Sequence, residues 1–309
     1  MINDQIRIPI NGVRQYISIR SEQERAPLLL YLHGGPGDTA LPLVLKYNRE
    51  LERSFTVAVW EQRGAGKSYY PFRPDETITI DTFLQDLLEL TQYLLDHFHQ
   101  KKLYLVGHSW GSVLGLRFIQ HNPEYVYSYI GCGQVVNMKK SWQIARNFAI
   151  KQANGKEKEK LKQIDPVFTG EKWLEDLLFL TKQITKFGGS LYGKTNQNSL
   201  IPPFLLSKYY SLPDLIRRQK GSVQSLRRLW RELMEVNFEP ILSYEVPVIF
   251  AEGHHDYHVS FDLVKRYYDT LQSEKRFIWF EQSGHFPQWS EANKFNQLVT
   301  ELVKGKLES

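Results

Sequence analysis

The ten residues Leu103-Tyr-Leu-Val-Gly-His-Ser-Trp-Gly-Ser112 constrain the fold more than any other stretch of the chain. Residues 103–106 are a short apolar run of strand type, and 113–121 carry a helical pattern. Only a tight turn fits between them, with Ser109 at its tip, flanked by Gly107 and Gly111. This is G-x-S-x-G in the context that gives the motif meaning, a strand running through a sharp turn into a helix. Such a turn strains the serine backbone, and side chains at the two glycine positions would collide with the strand and helix that cross there. The strain lifts the hydroxyl clear of the sheet. It also places it at a helix N-terminus, where free N–H groups favour developing negative charge. Ser109 is therefore the candidate nucleophile.

Strand and helix signals alternate on either side of this turn. Residues 15–20, 27–32, 56–60 and 127–131 read as strands, and 43–51 and 80–97 as helices, with Asp81 the expected N-cap of the latter. Alternation of this kind implies a mostly parallel sheet covered by helices on both faces. It stops near Asn137. Up to about Glu239 there is little strand signal; 173–184 and 225–236 are the clearest helices, with Gly188-Gly189, Gly193 and Pro202-Pro203 marking loops. The pattern then resumes with strands at 247–251 and 276–280 and helices at 261–271 and 292–302. The expected organisation is an α/β core from residues 1–136 and 240–309, with 137–239 inserted as an all-helical cap. A chain of 309 residues with 42% hydrophobic content is large enough for that arrangement.

A second glycine turn, Leu32-His33-Gly34-Gly35-Pro36-Gly37, also follows a strand directly. A tetrahedral intermediate needs two N–H donors on its oxyanion. Trp110, the residue after the nucleophile, can supply one. Gly35, with Gly34 close behind, is the choice for the other, because the backbone itself must approach the ligand.

A serine hydroxyl needs a neighbouring base. Among nine histidines, His285 lies in Gln282-Ser-Gly-His-Phe-Pro287, between the strand at 276–280 and the last helix. His254, His255 and His258 cluster beside Asp256, and His108 adjoins the nucleophile with its side chain expected to point away as a packing residue. Asp256 follows the strand at 247–251 and is the expected orienter of the histidine. Asp262 is the runner-up, better read as a surface or cap residue because it falls inside a helix. No acid follows the strand at 127–131. Ser109, Asp256 and His285 then all fall just beyond strand C-termini, where open α/β sheets bind ligands.

Other chemistries lack their residues. Gly66-Lys67-Ser68 looks like the end of a phosphate-binding loop, but that motif needs glycine at 61, where this chain has Glu61, and a G-x-G-x-x-G reading fails at Tyr69. The loop reads instead as a structural turn, with Arg63 in buried hydrogen bonds. The histidine cluster lacks a helical H-E-x-x-H arrangement, so neither a metal nor a cofactor is expected. The single cysteine, Cys132, permits no internal disulfide. The opening residues show no basic segment followed by an apolar run, and no stretch is long and apolar enough to span a membrane. A cytoplasmic protein is expected. The net charge is +5, yet residues 137–240 hold nineteen Lys/Arg against ten Asp/Glu, so the rest of the chain is net acidic. A basic insertion attracts anionic ligands or membrane surfaces, or is simply a solvated helical face. No nucleic-acid motif accompanies it.

Taken together, His33-Gly-Gly-Pro-Gly37, Glu61-Gln-Arg-Gly-Ala-Gly-Lys-Ser68, Gly107-His-Ser-Trp-Gly-Ser112 and Ser283-Gly-His285 resemble the proline iminopeptidase family of α/β-hydrolases. The resemblance covers residues 1–136 and 240–305. It implies the α/β-hydrolase fold and a serine-dependent aminopeptidase acting on short peptides under a cap. It also implies a triad at Ser109, Asp256 and His285 with oxyanion donors at Gly35 and Trp110. Three departures stand out. The family's Asp-Gln-Arg-Gly begins here with Glu61, and the loop after the triad acid ends in Ser260 where proline is usual. The cap glutamates that hold a substrate's free amine have no clear counterparts among Glu171, Glu175, Glu232 and Glu235.

The expected function is a serine hydrolase that cleaves a small amide or ester through an acyl-enzyme, with an aminopeptidase favoured by the resemblance and a carboxylesterase as the alternative. The expected partner is a small molecule or short peptide. A non-hydrolytic ligand-binding protein on the same fold is the reading from a different class. Dehalogenases and epoxide hydrolases of this fold would want aspartate at position 109.

Overall fold

One eight-stranded sheet organises the chain in a computed structural model, which describes residues 1–303 and 305. The strands are β1 (Ile2–Ile10), β2 (Val13–Ser21), β3 (Leu28–Leu32), β4 (Thr56–Glu61), β5 (Leu103–His108), β6 (Val126–Cys132), β7 (Val248–Gly253) and β8 (Lys275–Phe280). Their order is β1-β2-β4-β3-β5-β6-β7-β8. The β1–β2 and β2–β4 pairs are antiparallel, and all others are parallel. Strands β3 and β4 are buried along their whole length, as continuous apolar strands covered on both faces must be.

β1 is an addition to the sequence expectation. Its signals are weak but real. Asn11-Gly12 forms the hairpin turn with both residues at positive φ, and Ile6, Ile8 and Ile10 alternate toward the sheet.

Helices α1 (Leu41–Tyr47), α2 (Ile80–His97) and α3 (Trp110–His121) precede an insertion between β6 and β7. That insertion contains α4 (Met138–Gln152), α5 (Gly155–Gln163), α6 (Trp173–Lys186), α7 (Pro202–Leu205) and α8 (Leu212–Met234). Helices α9 (Phe261–Thr270), α10 (Pro287–Ser290) and α11 (Ala292–Val303) complete the described chain. Residues 304 and 306–309, the end of the expected core segment, lie outside the described residues. Asn137 and Asn237 form an isolated bridge that joins the two ends of the insertion.

Strand alternation sends Leu30, Leu32 and Trp60 to one face and Leu29, Tyr31 and Val59 to the other. The first face packs on Phe83 and Leu87 of α2 and Val113 of α3, the second on Leu41 of α1 and Phe295 and Val299 of α11. Each fully buried Leu or Phe of this kind contributes about 1.5–3 kcal/mol.

Several helix boundaries differ from expectation, and two of the differences have a plain cause. Thr79, not Asp81, caps α2, with its side chain accepting from the Thr82 N–H and the Thr82 hydroxyl accepting from the Thr79 N–H. A β-hydroxyl one residue before the helix reaches that N–H, whereas Asp81 already sits in the first turn. Helix α8 starts at Leu212, well before the expected 225, behind a Ser211–Asp214 capping box. Its first turns carry no helical signal in the sequence because Leu212 and Ile216 face outward and leave no apolar stripe toward the core.

Candidate active site

The turn between β5 and α3 holds Ser109 at φ 53° and ψ −116°, a conformation that costs free energy for a residue with a Cβ. Both flanking glycines are obligatory. A Cβ on Gly107 would lie 2.6 Å from the Gly111 carbonyl oxygen, and one on Gly111 would lie 2.3 Å from that of Leu32. The elbow is thus wedged between its own helix and β3.

His285 reaches it from the loop between β8 and α10, with Nε2 2.9 Å from Ser109 Oγ. On its other side, His285 Nδ1 lies 2.7 Å from Asp256 Oδ2, in the loop after β7. Asp256 is fully buried, and its second oxygen accepts the N–H groups of His258 at 2.8 Å and Val259 at 3.3 Å. Burial acts to raise its pKa, but His285 beside it and the His258 N–H hold the carboxyl below the ordinary aspartate value. The three sequence-predicted residues therefore converge in an order that can pass a proton from hydroxyl to imidazole. Asp262 does not join them; it is exposed in the first turn of α9.

Two more histidines flank His285. His108 turns away from Ser109 and donates from Nε2 to the His285 carbonyl oxygen at 2.9 Å, a packing role in keeping with the sequence reading. His258 stacks on the other side, ring centroids 4.9 Å apart, with Nε2 2.5 Å from Ser190 Oγ. Burial lowers each to about 3, so both stay neutral. The position of His258 was not legible in sequence, since nothing distinguished it from exposed His254.

Gly34, Gly35 and Trp110 line the same cleft as Ser109. No described residue accepts the N–H of Gly35 or of Trp110. A residue that sequence reasoning passed over fixes their spacing. Gln62 donates from Nε2 to the His33 carbonyl at 3.2 Å and accepts the Trp110 indole N–H at 2.8 Å, while its backbone N–H donates to His33 Nε2 at 3.1 Å. Its signal was its place in Glu61-Gln-Arg-Gly. Next to it, Arg63 grips Asp86 through Nε and Nη2 at 2.8 and 2.7 Å, the buried bonding expected of it.

Glu61 is buried and accepts the Lys67 N–H at 2.5 Å and the Tyr210 hydroxyl. Burial pushes its carboxyl up to about 8, against the pull of Lys67. The folded chain therefore keeps a proton that the unfolded chain releases above about 4.5. The stability this group contributes is present below pH 4.5 and is lost as pH rises toward 8. Glu61→Gln is expected to remove that loss, changing the pH slope of unfolding free energy by up to roughly 1.4 kcal/mol per pH unit in that window. Urea unfolding of both proteins at several pH values measures it, and parallel curves would refute it.

Ser260 adopts φ 62°, which proline, locked near −65°, cannot enter, so this departure from the family pattern reflects a different loop path.

The cleft measures about 520 Å³. Val135, Met138, Trp142, Leu177, Trp230 and Leu233 make its walls apolar, and Asp38 and Arg218 stand in it as an ion pair, with Nη2 3.1 Å from Oδ2. None of the four cap glutamates lines it. Glu232 accepts the Ile80 N–H at 2.7 Å, Glu235 pairs with Lys139 at 2.6 Å, and Glu171 and Glu175 are exposed.

Residues 27–292 match the family model described as alpha/beta hydrolase fold. The chain belongs to the α/β hydrolase fold family. This hydrolase is 34% identical over 306 residues to a probable aminopeptidase, YbaC, of Bacillus subtilis strain 168, covering 97% of this chain and 96% of the relative. Its fold is similar to the proline iminopeptidase-related protein of Thermus thermophilus, at TM-score 0.68 and 18% identity over 98% of each chain. It is also similar to an esterase of Exiguobacterium antarcticum, at TM-score 0.65 and 18% identity over 98% of this chain and all (100%) of that one. Among the described residues no helix is long and apolar enough to cross a membrane.

Proposed function

We propose that this α/β hydrolase is a serine hydrolase that cleaves small amides or esters with apolar acyl groups through an acyl-enzyme, acting as an aminopeptidase of the proline iminopeptidase type. The observation that carries the reading is the relay from Ser109 Oγ to His285 Nε2 at 2.9 Å and from His285 Nδ1 to Asp256 at 2.7 Å. Ser109 attacks the substrate carbonyl carbon while its proton passes to His285. The Gly35 and Trp110 N–H groups receive the oxyanion. His285 then protonates the leaving amine or alkoxide as its bond to the carbonyl breaks. Water attacks the acyl carbon as His285 takes its proton, and His285 returns that proton to Ser109 Oγ as the acyl–oxygen bond breaks. Asp256 orients the imidazole and stabilises its charged form. Residues 137–239 act as the cap that walls the acyl site.

The full-length relative named as a probable aminopeptidase supports the peptidase reading. One observation favours an esterase instead. A substrate's free amine needs a carboxylate, and the single acid among the described residues lining the cleft is Asp38, already held by Arg218. A panel of prolyl, alanyl and leucyl arylamides beside short aryl esters separates the two. The amides are expected to turn over if Asp38 exchanges Arg218 for the substrate's amine, and Asp38→Asn is then expected to raise KM for amides about tenfold or more while leaving esters nearly unchanged. Ester turnover alone would make the enzyme an esterase. No turnover, with Ser109 unlabelled by a fluorophosphonate, would overturn the hydrolase mechanism.

A further inference from the structure

Six of the thirteen exposed large apolar side chains among the described residues lie on one stretch of the insertion. Ile201, Leu205, Leu206, Leu212, Ile216 and Val223 are all exposed, with Leu206 at 83% and Leu212 at 73%. Leu212 and Ile216 stand one turn apart on the outer face of α8. Phe204 of α7 turns inward, under the Arg218 guanidinium at 3.9 Å and against Tyr210, which packs α7 on the start of α8 and leaves its neighbours Leu205 and Leu206 outside.

The charge around these residues is of one sign. From Lys194 to Arg231 the chain carries eight Lys/Arg and a single acid, Asp214. Asp214 is buried and bonded to Lys67 and Arg217, so it gives the surface no negative charge. Lys208, Lys220 and Arg227 are exposed and have no acidic partner among the described residues. A second copy of the chain would set this basic rim against itself. Apolar side chains ringed by unpaired cations instead match an anionic lipid surface, where the cations meet headgroups and the Leu and Ile side chains enter the acyl boundary. The same stretch forms a wall of the cleft through Ile201, Arg218 and Leu226.

We propose that the outer face of α7 and the first half of α8 docks on an anionic lipid surface, presenting the Ser109 cleft to acyl compounds held there. The attachment is peripheral and does not depend on whether the bond cleaved is an amide or an ester.

Flotation of the purified protein with vesicles of mixed phosphatidylglycerol and phosphatidylcholine tests it. Binding is expected to the mixed vesicles, to fall at least about tenfold on phosphatidylcholine alone and to weaken with salt. The combined Leu206→Asp, Leu212→Asp and Ile216→Asp variant is expected to lose binding at least about tenfold while it keeps its thermal unfolding midpoint and its turnover of a soluble substrate. Should that variant fail to fold, Lys220→Glu with Arg227→Glu carries the same expectation. Equal recovery with neutral and anionic vesicles, or binding untouched by the folded variant, would overturn the proposal. So would a dimer in sedimentation that the substitutions dissociate, since the face would then join two copies. Vesicle binding is read without substrate, so its failure and a failure of the hydrolase mechanism are told apart.

Discussion

Ser109→Ala is expected to lower kcat/KM on the best arylamide or aryl ester by on the order of 10⁵-fold, with the thermal midpoint changed little. The size follows from the geometry. The Ser109 hydroxyl lies within hydrogen-bond distance of His285 Nε2, and in the proposed mechanism no acyl-enzyme forms without it. What survives is the oxyanion site and substrate positioning, which accelerate a direct attack by water only modestly. Asp256→Asn is expected to follow at about 10⁴-fold, because an amide leaves the imidazole in the wrong tautomer. Steady-state assays with fluorophosphonate labelling check both, and an alanine variant that kept a tenth of the activity would move the nucleophile elsewhere.

Asp86→Ala is expected to be the most destabilising change outside the elbow, at about 3–5 kcal/mol in urea unfolding. Asp86 is fully buried and accepts two bonds from Arg63, one from Gln15 at 2.6 Å and one from Asn11 at 3.0 Å. It therefore ties α2 to the first hairpin and to the loop after β4. Its removal leaves the buried Arg63 guanidinium with only the longer pairing to Glu76, 3.7 Å from Nη1, and that poorly compensated charge is the cost. Replacing both partners by Leu and Met is expected to cost much less, since the same burial then suits the side chains. Additive losses in the double variant would show that the pair is not acting as a unit. Gln62 adjoins Arg63 and ties the His33 turn to Trp110, the proposed oxyanion donors' two segments, so the single variant is also expected to lose kcat.

The site was legible in sequence where one residue's neighbours along the chain dictate its geometry. Glycine at 107 and 111 is demanded by contacts under 3 Å, and the chain declares it openly. Asp256 and His285 are legible as candidates because each lies in the loop after a strand, and strand C-termini share one edge of a parallel sheet. His258 and Gln62 were not assigned roles for the opposite reason. Their partners lie in distant elements, Ser190 for one and Trp110 for the other, and no local pattern records such contacts. The insertion suffered most. Helix α8 packs through Asp214, Gly221 and Ser225 as well as Leu229 and Trp230, so its buried face lacks a continuous apolar stripe.

By itself, then, the sequence determined the α/β alternation and the elbow at Ser109, and pointed to Asp256 and His285 as its proposed partners, because strand periodicity, steric exclusion and loop position act over a few residues. The tertiary structure decided which carboxylates enter the cleft. Glu171, Glu175, Glu232 and Glu235 are equivalent as letters in a helical segment, yet packing sends Glu232 to the start of α2, Glu235 to Lys139 and the other two to solvent. It leaves Asp38 facing Arg218 in the cleft. A side chain's destination across a helix–sheet interface depends on rotation and distance that only packing sets.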